Sequence, residues 1–482
     1  MMIAENKNSK STRDMSWETV DILEAANGTI LQGDKGLSFS GISIDSRTIK
    51  KDELFIAIKG DVYDGHHFLK EVTNKGIHGF VINAHMSESI NLNEYKTKEI
   101  VFISVNDTFR ALGDLAGYKR KNSDVFVVGI TGSNGKTSTR EMTASIMSQH
   151  FNTLTTSGNF NNEIGLPLTL FKLNDSHEWA ILEMAMNKPG EIKRLSEICL
   201  PDIGVITNIG PAHLEGLGSI EGVMHAKGEL LETLTPHGTA ILNADDPMTP
   251  TLAIKTEADI LLFGLSEKAN IRADKIKETN HGTHFTLTLP SQQVPIDLKV
   301  PGSFMVSNAL AAAAVGHLLK LSPDTIKKGL ENFIPVPGRM NILTTKNNIH
   351  IIDDTYNSNP GSMAAAIHTL NALRKGHRAV IVAGDMCELG DASQLSHKQI
   401  GSLSGKSNIE KLYITGAFAK DMAAGAREAD MDEKNIFIGN KDDIIHHLID
   451  WLKPDDWILV KGSRAIGMET VVTGIKNHFK IK

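Results

Sequence analysis

Short apolar runs and longer amphipathic stretches alternate along almost the whole chain. Apolar runs bounded by turn residues are typical of buried parallel strands, and stretches with a helical apolar period are typical of the helices that cover them. The pattern therefore predicts an α/β fold with mostly parallel sheets. The clearest strand-like runs are residues 125–130, 180–184, 203–209, 239–242, 349–352, 379–382, 412–415 and 458–460.

One part of the pattern departs from this rule. Residues 284–289 alternate between apolar and polar side chains, which predicts antiparallel strands added to a parallel sheet. Helical stretches follow at residues 304–319, which are very rich in alanine, and at residues 322–333. Residues 334–338 then contain two prolines and a glycine, which break both helices and strands, so this segment is the best candidate for a linker.

The pattern divides the chain into three predicted domains. Residues 1–122 form a smaller α/β domain that begins with a disordered tail at residues 1–15. Residues 123–335 form a central domain like a P-loop ATPase, with a mostly parallel sheet and antiparallel additions. Residues 336–482 alternate strands and helices in the doubly wound, Rossmann-like manner.

Composition excludes several classes of protein. A net charge of −7 over 482 residues argues against a general nucleic-acid or acidic-membrane binder, because such proteins carry basic patches. The two cysteines, Cys199 and Cys387, are too few and too far apart for a disulfide framework. No stretch approaches the roughly 18 uninterrupted apolar residues of a membrane span, and the N-terminus lacks the apolar core of a signal peptide. We therefore expect a cytoplasmic protein.

A strand, a glycine-containing loop and a helical stretch follow one another at residues 125–139, VFVVGITGSNGKTST. Such a loop presents backbone N–H groups and the positive end of a helix to phosphate oxygens. We expect Lys136 to bridge the β- and γ-phosphates of ATP and the Thr137 hydroxyl to bind Mg²⁺. The spacing departs from the common P-loop, since Ile130 stands where that motif has glycine. The predicted nucleotide-binding residues here are Thr131, Gly132, Ser133, Asn134, Gly135, Lys136 and Thr137.

Two further polar residues follow apolar runs of the central block. Glu183 ends the run WAILE, at the strand edge where parallel sheets place their ligands. A carboxylate there can hold Mg²⁺ against a triphosphate, although a glutamate facing solvent fits the position equally well. His213 lies in the loop after residues 203–209, where a structural role is the commoner interpretation.

Lys227 occupies an unusual place on a predicted helix at residues 220–234. Ile220, Val223 and Leu231 belong to one apolar stripe, and Lys227 falls in the middle of it rather than on the charged face. A lysine on a buried face must extend its ammonium to solvent, pair with an anion or lose its charge. The helical wheel favours extension to solvent, and conversion to a carbamate would instead create a metal-binding carboxylate.

Further candidate ligands follow strands of the third block and of the first. Residues 353–359, DDTYNSN, combine carboxylates, a tyrosine and amides after a strand, which is typical of a binding rim and also of a surface turn. Arg339 follows the linker, and residues 384–386 and 461–464 end strands on the same predicted edge. In the first block, Asp45, Ser46 and Arg47 form a weaker candidate site for an anionic group.

With these residues in view, the chain resembles the Mur ligase family of ATP-dependent, amide-forming enzymes of peptidoglycan synthesis. The loop TGSNGKT at residues 131–137 is similar to the ATP loop of that family, which folylpolyglutamate synthases share. The resemblance runs from about residue 43 to residue 464. The segments TSGNFNNEIGLPLTL, DDTYNSNPGSM and GDMCELG resemble the members that add the terminal dipeptide, and the DNPR tetrapeptide of many diaminopimelate-adding members is absent.

The resemblance implies roles for individual residues. Lys136, Lys227 and His213 would carry the catalysis, with Lys227 aligning with the carbamylated lysine of the family. Thr137, Glu183, His213 and the carbamylated Lys227 would hold two Mg²⁺ ions. The nucleotide would be contacted from the opposite side by Asn308, Arg339 and Asp354, with Tyr356 and Asn357 nearby. The uridine diphosphate end would be held by Asp45, Ser46 and Arg47, and the muramoyl-peptide would face Thr155, Thr156, Asn159 and Asn162.

The resemblance also implies the reaction. ATP would phosphorylate the terminal carboxylate of UDP-MurNAc-tripeptide, and the amine of D-Ala-D-Ala would attack the resulting acyl phosphate. The substrates are small molecules, so we expect no nucleic-acid partner, no membrane association and a monomer. No residue of the sequence is a convincing general base for the amine. The sequence also leaves open whether the third peptide residue is diaminopimelate or lysine.

Three other functions remain compatible with parts of the pattern. A folylpolyglutamate-type ligase has the same chemistry, but that family is expected to begin almost at its ATP loop, whereas about 120 residues precede the loop here. A ligase that forms the muramoyl-tripeptide is the nearest alternative within the family. A P-loop nucleotide switch belongs to a different class, and no arginine-finger or switch signature supports it.

Overall fold

The computed structural model describes residues 16–95, 99–279 and 282–482. The predicted disordered tail at residues 1–15 lies outside these described ranges. Within them, the strands form a two-stranded ribbon and three larger sheets that follow one another along the chain. The predicted α/β fold with mostly parallel sheets is confirmed.

The first large sheet has five strands among the described residues, in the order β2-β7-β6-β5-β4. β2 pairs antiparallel with β7, and the other neighbours are parallel. The strands of this part are β1 (Trp17–Glu18), β2 (Thr29–Gln32), β3 (Ser38–Phe39), β4 (Gly41–Ser43), β5 (Glu53–Ile56), β6 (Gly79–Asn83) and β7 (Val101–Val105). The helices are α1 (Thr19–Ala26), α2 (Leu69–Asn74) and α3 (Thr108–Lys121).

The second sheet has nine strands among the described residues, in the order β16-β15-β14-β13-β12-β11-β8-β10-β9. β8 to β14 pair parallel, and β15 pairs antiparallel with both β14 and β16, as residues 284–289 predicted. The strands are β8 (Phe126–Thr131), β9 (Thr153–Thr155), β10 (Trp179–Glu183), β11 (Ile203–Ile206), β12 (Thr239–Asn243), β13 (Asp259–Gly264), β14 (Ile271–Thr279), β15 (Gly282–Thr288) and β16 (Gln293–Leu298).

Helices cover both faces of this second sheet. Val128 and Ile130 of β8 belong to the core on one face, whereas Val127 belongs to the core on the other. None of the described helices is long and apolar enough to cross a bilayer. The helices are α4 (Lys136–Met147), α5 (Gly165–Leu170), α6 (Glu191–Cys199), α7 (Leu214–Leu217), α8 (Ile220–Glu232), α9 (Thr249–Ala253), α10 (Ser303–Leu318) and α11 (Pro323–Glu331).

The third sheet has six strands among the described residues, in the order β17-β18-β22-β19-β20-β21, and only β17 is antiparallel. Helices lie on both faces, which is the doubly wound arrangement. The strands are β17 (Asn341–Thr344), β18 (His350–Asp354), β19 (Ala379–Gly384), β20 (Lys411–Thr415), β21 (Ile436–Ile438) and β22 (Trp457–Lys461). The helices are α12 (Pro360–Arg374), α13 (Ser393–Lys406), α14 (Ala419–Glu428), α15 (Lys441–Trp451) and α16 (Glu469–Phe479).

Glycines let α13 and α14 approach each other closely. A Cβ atom on Gly401 would lie 1.8 Å from the Met422 carbonyl oxygen, and one on Gly425 would lie 1.8 Å from the Lys398 carbonyl oxygen. Both positions meet backbone, which cannot move aside without separating the helices. The close contact therefore depends on the absence of side chains at these two positions.

Replacing one of these glycines should destabilise the third sheet's domain. We expect Gly401→Ala to lower the free energy of unfolding by about 2 kcal/mol, because an overpacked core must shift its backbone. Gly117→Ala on α3 is the matched control, since its nearest neighbour would be 3.6 Å away. That change should be neutral or stabilising by up to about 1 kcal/mol. Urea denaturation followed by circular dichroism compares the two variants, and equal stabilities would contradict the packing argument.

Candidate active site

The glycine loop leaves the end of β8 and enters α4 at Lys136. A Cβ on Gly132 would lie 1.9 Å from the Thr207 hydroxyl, and one on Gly135 would lie 2.1 Å from Oδ1 of Asn308. Gly135 also has a φ of 84°, in the left-handed region that favours glycine. Both glycines are therefore required by close neighbours, and the predicted nucleotide-binding residue Asn308 packs directly on the loop.

The loop is fastened to the segment that follows β11. The N–H groups of Ser133 and Asn134 donate to the carbonyl and the side-chain oxygen of Asn208, at 2.9 and 3.0 Å. The Ser133 hydroxyl bonds Gly210 at 2.9 Å. The sequence predicted that these loop amides point at phosphate, and in the structure those of Ser133 and Asn134 are engaged by Asn208. The N–H groups of the first turn of α4 have no acceptor within the helix, so they are the ones offered to an anion.

Lys136 lies half-buried at the start of α4, with its Nζ donating to the Gly132 carbonyl oxygen at 2.7 Å. Burial lowers the pKa of this amine, and the carboxylates of Glu183 and Glu388 act in the opposite direction. The nearby Arg339 guanidinium lowers the pKa further. Lys136 therefore stands among charges from the second and third sheets, where a phosphoryl group would bring additional negative charge.

Glu183 ends β10 and is 2 % exposed, so the solvent-facing interpretation is wrong. Its Oε2 accepts from Nη1 of Arg140 at 2.9 Å, and its Oε1 accepts from Nδ2 of Asn161 at 2.8 Å. Its backbone N–H donates to the Thr156 hydroxyl at 3.0 Å. Neither Arg140 nor Asn161 was predicted from the sequence as a site residue. The signal for Arg140 was its place one helical turn after Lys136 on α4.

Lys227 lies within α8 and is 1 % exposed, so it does not extend its ammonium to solvent as the helical wheel favoured. Its side chain makes no hydrogen bond or ion pair with the described residues. Burial lowers its pKa well below the usual value, and the positive charge of Lys136 lowers it further. Lys227 is therefore a buried amine near the phosphate loop with no counter-charge, and its neutral form is favoured.

His213 follows β11 and contacts Glu388, in the loop after β19 of the third sheet. Its Nδ1 lies 2.6 Å from Oε2 of Glu388, and the N–H of Glu215 donates to the Glu388 carbonyl oxygen at 3.2 Å. The His213 side chain holds the pKa of Glu388 below its usual value. Glu388 belongs to the segment GDMCELG, and the sequence predicted no individual role for it. The structure shows that this segment joins the third sheet to the phosphate-loop region.

Arg339 and Tyr356 lie together on the third-sheet side of the site. The Arg339 guanidinium carbon lies 4.2 Å from the centroid of the Tyr356 ring. Nε of Arg339 is buried and makes no hydrogen bond to the described residues. Asp354 accepts from Nζ of Lys461 at 2.5 Å and from the Met340 N–H at 3.1 Å. An unpaired buried donor beside an aromatic ring fits a nucleotide that brings both phosphate and base.

The two halves of the candidate site meet at the tip of the loop. Nδ2 of Asn359 donates to Oδ1 of Asn134 at 2.8 Å. Asn359 caps α12, which follows the cluster at residues 353–359. Asn357, which was predicted to lie near the nucleotide, has an exposed side chain and its carbonyl oxygen accepts from Nζ of Lys461 at 2.8 Å. The structure therefore brings the predicted residues of the second and third blocks to one place.

The residues predicted to face the muramoyl-peptide differ in exposure. Asn159 is exposed and Thr155 is half-buried. Thr156 is 1 % exposed, and its hydroxyl supports the end of β10. Oδ1 of Asn162 accepts from the N–H groups of Ile164 and Gly165, so this side chain caps α5. Of these residues, Asn159 and Asn162 are exposed, Thr155 is half-buried and Thr156 is buried.

The triplet predicted to hold the uridine diphosphate follows β4 in the first sheet. Arg47 forms a bidentate pair with Asp45, at 2.9 and 2.7 Å, and this pair lowers the pKa of Asp45 to about 2. The Ser46 carbonyl oxygen accepts from Nζ of Lys75 at 2.6 Å. The contacts of the described residues do not link this triplet to the phosphate loop.

The predicted metal donors fit Mg²⁺ better than an ion that needs a cage of protein ligands. The described residues contain no group of three His, Cys, Asp or Glu side chains placed to hold a metal. Mg²⁺ usually binds through one or two carboxylates together with substrate phosphates and water. Glu183 supplies such a carboxylate, and Thr137 follows Lys136 in the first turn of α4.

Comparisons with known proteins match this architecture along the chain. The models described as Mur ligase family, catalytic domain, as Mur ligase middle domain, and as Mur ligase, glutamate ligase domain match residues 38–120, 130–316 and 338–464. A UDP-N-acetylmuramoyl-tripeptide--D-alanyl-D-alanine ligase of Escherichia coli is 36% identical over 465 residues, which cover 96% of this chain and 98% of that protein.

Solved structures agree with these matches. A crystal structure of MurF from Acinetobacter baumannii has a TM-score of 0.87 and 30% identity, covering 96% of this chain and 99% of that one. A structure of MurF ligase from Thermotoga maritima in complex with ADP has a TM-score of 0.81 and 26% identity, covering 91% and 98%. The order of the domains, the phosphate loop and these near-full-length matches show that the chain belongs to the Mur ligase family.

Proposed function

We propose that this protein is an ATP-dependent ligase that joins D-Ala-D-Ala to UDP-MurNAc-tripeptide, giving the UDP-MurNAc-pentapeptide of peptidoglycan synthesis, ADP and phosphate. The observation that carries the proposal is the hydrogen bond of 2.8 Å between Asn359, at the start of α12, and Asn134 of the glycine loop, which joins the third-sheet side of the site to the loop. The name of the Escherichia coli relative, which matches over 98% of its length, supports the choice of substrates. The five-stranded sheet before the loop argues against a folylpolyglutamate-type ligase.

The chemistry begins with activation of a carboxylate. An oxygen of the tripeptide's terminal carboxylate attacks the γ-phosphorus of ATP, the bond to the bridging oxygen breaks, and ADP leaves with that electron pair. Phosphoryl transfer depends mainly on positioning and charge neutralisation. Lys136 and the first-turn N–H groups of α4 supply positive charge to the transferred group, and Arg339 supplies more from the opposite side. The product of this step is an acyl phosphate.

Amide formation follows. The uncharged amine of the dipeptide attacks the carbonyl carbon of the acyl phosphate, and the tetrahedral intermediate releases phosphate. Acyl phosphates hydrolyse readily, so water must be excluded while the amine attacks. The contacts of Asn359 with Asn134 and of Glu388 with His213 hold the third sheet over the loop and serve this purpose. The general base for the amine stays unassigned.

Mg²⁺ and a modified lysine complete the proposed site. Thr137, Glu183 and His213 would hold Mg²⁺, which neutralises phosphate charge when it is bound. Reaction of the neutral Lys227 amine with CO₂ would form a carbamate and release a proton, and this modification would turn an unpaired buried base into an anion. The unpaired environment of Lys227 and its lowered pKa support this proposal.

Four wider predictions accompany the function. The division into domains at residues 1–122, 123–335 and 336–482 is proposed on the separate sheets and helices of each part. A monomer and a cytoplasmic location stay predictions. The proposed contacts of the UDP-muramoyl substrate are Asp45, Ser46, Arg47, Thr155, Thr156, Asn159 and Asn162.

A phosphate-release assay tests the proposed function. We expect phosphate production that needs ATP, UDP-MurNAc-tripeptide and D-Ala-D-Ala together and equals the amount of pentapeptide formed. The matched control is N-acetyl-D-Ala-D-Ala, whose blocked amine cannot attack an acyl phosphate. ATP hydrolysis that neither substrate changes would contradict the proposal and favour a nucleotide switch.

A further inference from the structure

A cavity of about 330 Å³ lies between the start of α3, the loop before α5 and the start of α6. None of the residues assigned to ATP or Mg²⁺ lines it. Its walls are strongly charged, with both signs present. The charged residues are Asp107, Arg110, Glu163, Lys193, Arg194 and Glu197.

Two of these charges have a structural task. Asp107 caps α3 by accepting from the N–H groups of Phe109 and Arg110. Arg194 pairs with Asp114 at 2.6 Å and also donates to the Arg110 carbonyl oxygen at 3.1 Å. Its guanidinium crosses α3 at Gly113, where a Cβ atom would lie 2.7 Å from Nη2. Asp107 and Arg194 therefore build the wall of the cavity.

The other charged side chains of the cavity have no hydrogen-bond or ion-pair partner among the described residues. In the described ranges, no hydrogen bond or ion pair includes the side chains of Arg110, Lys193, Glu163 or Glu197. Glu163 is half-buried, and burial together with the nearby Glu191 carboxylate raises the pKa of its carboxyl group above the usual value, with Arg194 and Arg110 acting in the opposite direction. A half-buried carboxylate beside unpaired basic groups is arranged to receive a ligand that carries both charges.

The cavity lies within reach of the phosphate site. Asn161 donates to Glu183 at 2.8 Å, and the Asn161 carbonyl oxygen accepts from the Ala185 N–H at 2.9 Å, so this loop crosses the end of β10. Glu163 is two residues further on, and two residues span at most about 7 Å. A four-carbon side chain on the reacting residue of the peptide is long enough to extend from the phosphate site towards Glu163.

We infer that this cavity binds the side-chain terminus of the peptide's third residue, and that this terminus carries an ammonium and a carboxylate, as diaminopimelate does. The inference rests on the proposed function. Glu163 pairs with the ammonium group, and Arg110 pairs with the carboxylate, for which a guanidinium has matching geometry. A lysine terminus would supply the ammonium alone and would leave Arg110 without an anion.

Turnover of three UDP-muramoyl-tripeptides tests this assignment. Their third residues are diaminopimelate, lysine and norleucine, whose side chain ends in a methyl group. We expect the unmodified protein to prefer the diaminopimelate peptide in kcat/KM. Arg110→Gln should lower kcat/KM roughly tenfold for that peptide, chiefly through KM, and leave the lysine peptide almost unchanged. Glu163→Gln should lower kcat/KM for both amine-bearing peptides and spare the norleucine peptide.

Lys188→Gln is the matched control, because Lys188 is exposed on the neighbouring loop and does not line the cavity. This substitution should leave the kcat/KM for each of the three peptides unchanged. Equal use of the three peptides by the unmodified protein, or an equal loss with all three in Arg110→Gln, would overturn the inference while ligation itself stands. Failure to ligate any of them would remove the proposed function as well. Circular dichroism checks that each variant is folded. If Glu163→Gln fails to fold, the result with Arg110→Gln decides the test, because Arg110 is exposed and its replacement should not disturb the fold.

Discussion

Lys136→Ala should lower kcat by roughly 10³-fold while the protein remains folded. The transferred phosphoryl group carries negative charge on its equatorial oxygens, and a fixed cation aimed at it is worth more in a water-excluded site than in solution. Lys136 stands at the start of α4, and its single described hydrogen bond goes to the Gly132 carbonyl oxygen. Its removal leaves the packing of β8 intact. Phosphate release measures the loss, and circular dichroism confirms the fold.

Two further variants at this position separate charge from size. Lys136→Met keeps the length of the side chain and removes the charge, so we expect it to fail as completely as Lys136→Ala. Lys136→Arg keeps the charge in a wider head group and should retain more activity than either. Normal turnover by Lys136→Met would mean that the phosphate is stabilised by other groups.

Lys227→Ala should lower kcat roughly a hundredfold or more and should be partly rescued by acetate or propionate. A carbamate on Lys227 would place an anion beside Lys136, and a small carboxylate diffusing into the vacated space would replace that anion. The measurements are the kcat with added carboxylate and the mass of the intact protein, which reports the CO₂ adduct. Lys136→Ala is the control, because no carboxylate can replace a missing cation.

Stability gives an independent readout at the same position. Lys227 is 1 % exposed and has no partner among the described residues, so its amine is destabilising unless it is modified. Lys227→Met should therefore be at least as stable as the protein whose Lys227 carries no carbamate, and yet it should be inactive. An unmodified lysine in the mass spectrum, together with no rescue, would return Lys227 to a structural role.

Much of the fold follows from local pattern. The helix at Ser303–Leu318 and the antiparallel strand within residues 284–289 lie where the pattern predicted them. The order of the strands could not be predicted, because β8 pairs with β10 and β11, which are distant along the chain. Such pairings depend on long-range register, which no short window of sequence contains.

The residues of the candidate site likewise fall into those that could be predicted from a local segment and those that could not. The glycine loop is a continuous segment of sequence, so its role in binding phosphate could be predicted. The buried position of Lys227 could be recognised because a helical wheel needs only the sequence of a single helix. Ile220 of the same predicted stripe is 37% exposed, since the first turn of α8 leaves the core. Arg140, Asn161 and Asn208 act on residues far along the chain, and Glu388 reaches His213 from another sheet. Their roles depend on tertiary structure.

Residues 207–210 hold the glycine loop through bonds that need no nucleotide. A preorganised binding loop loses little conformational entropy when its ligand binds. Nucleotide should therefore bind to this loop without rearranging it. The ordering that accompanies binding is then left to groups such as the buried Nε of Arg339, which makes no hydrogen bond to the described residues.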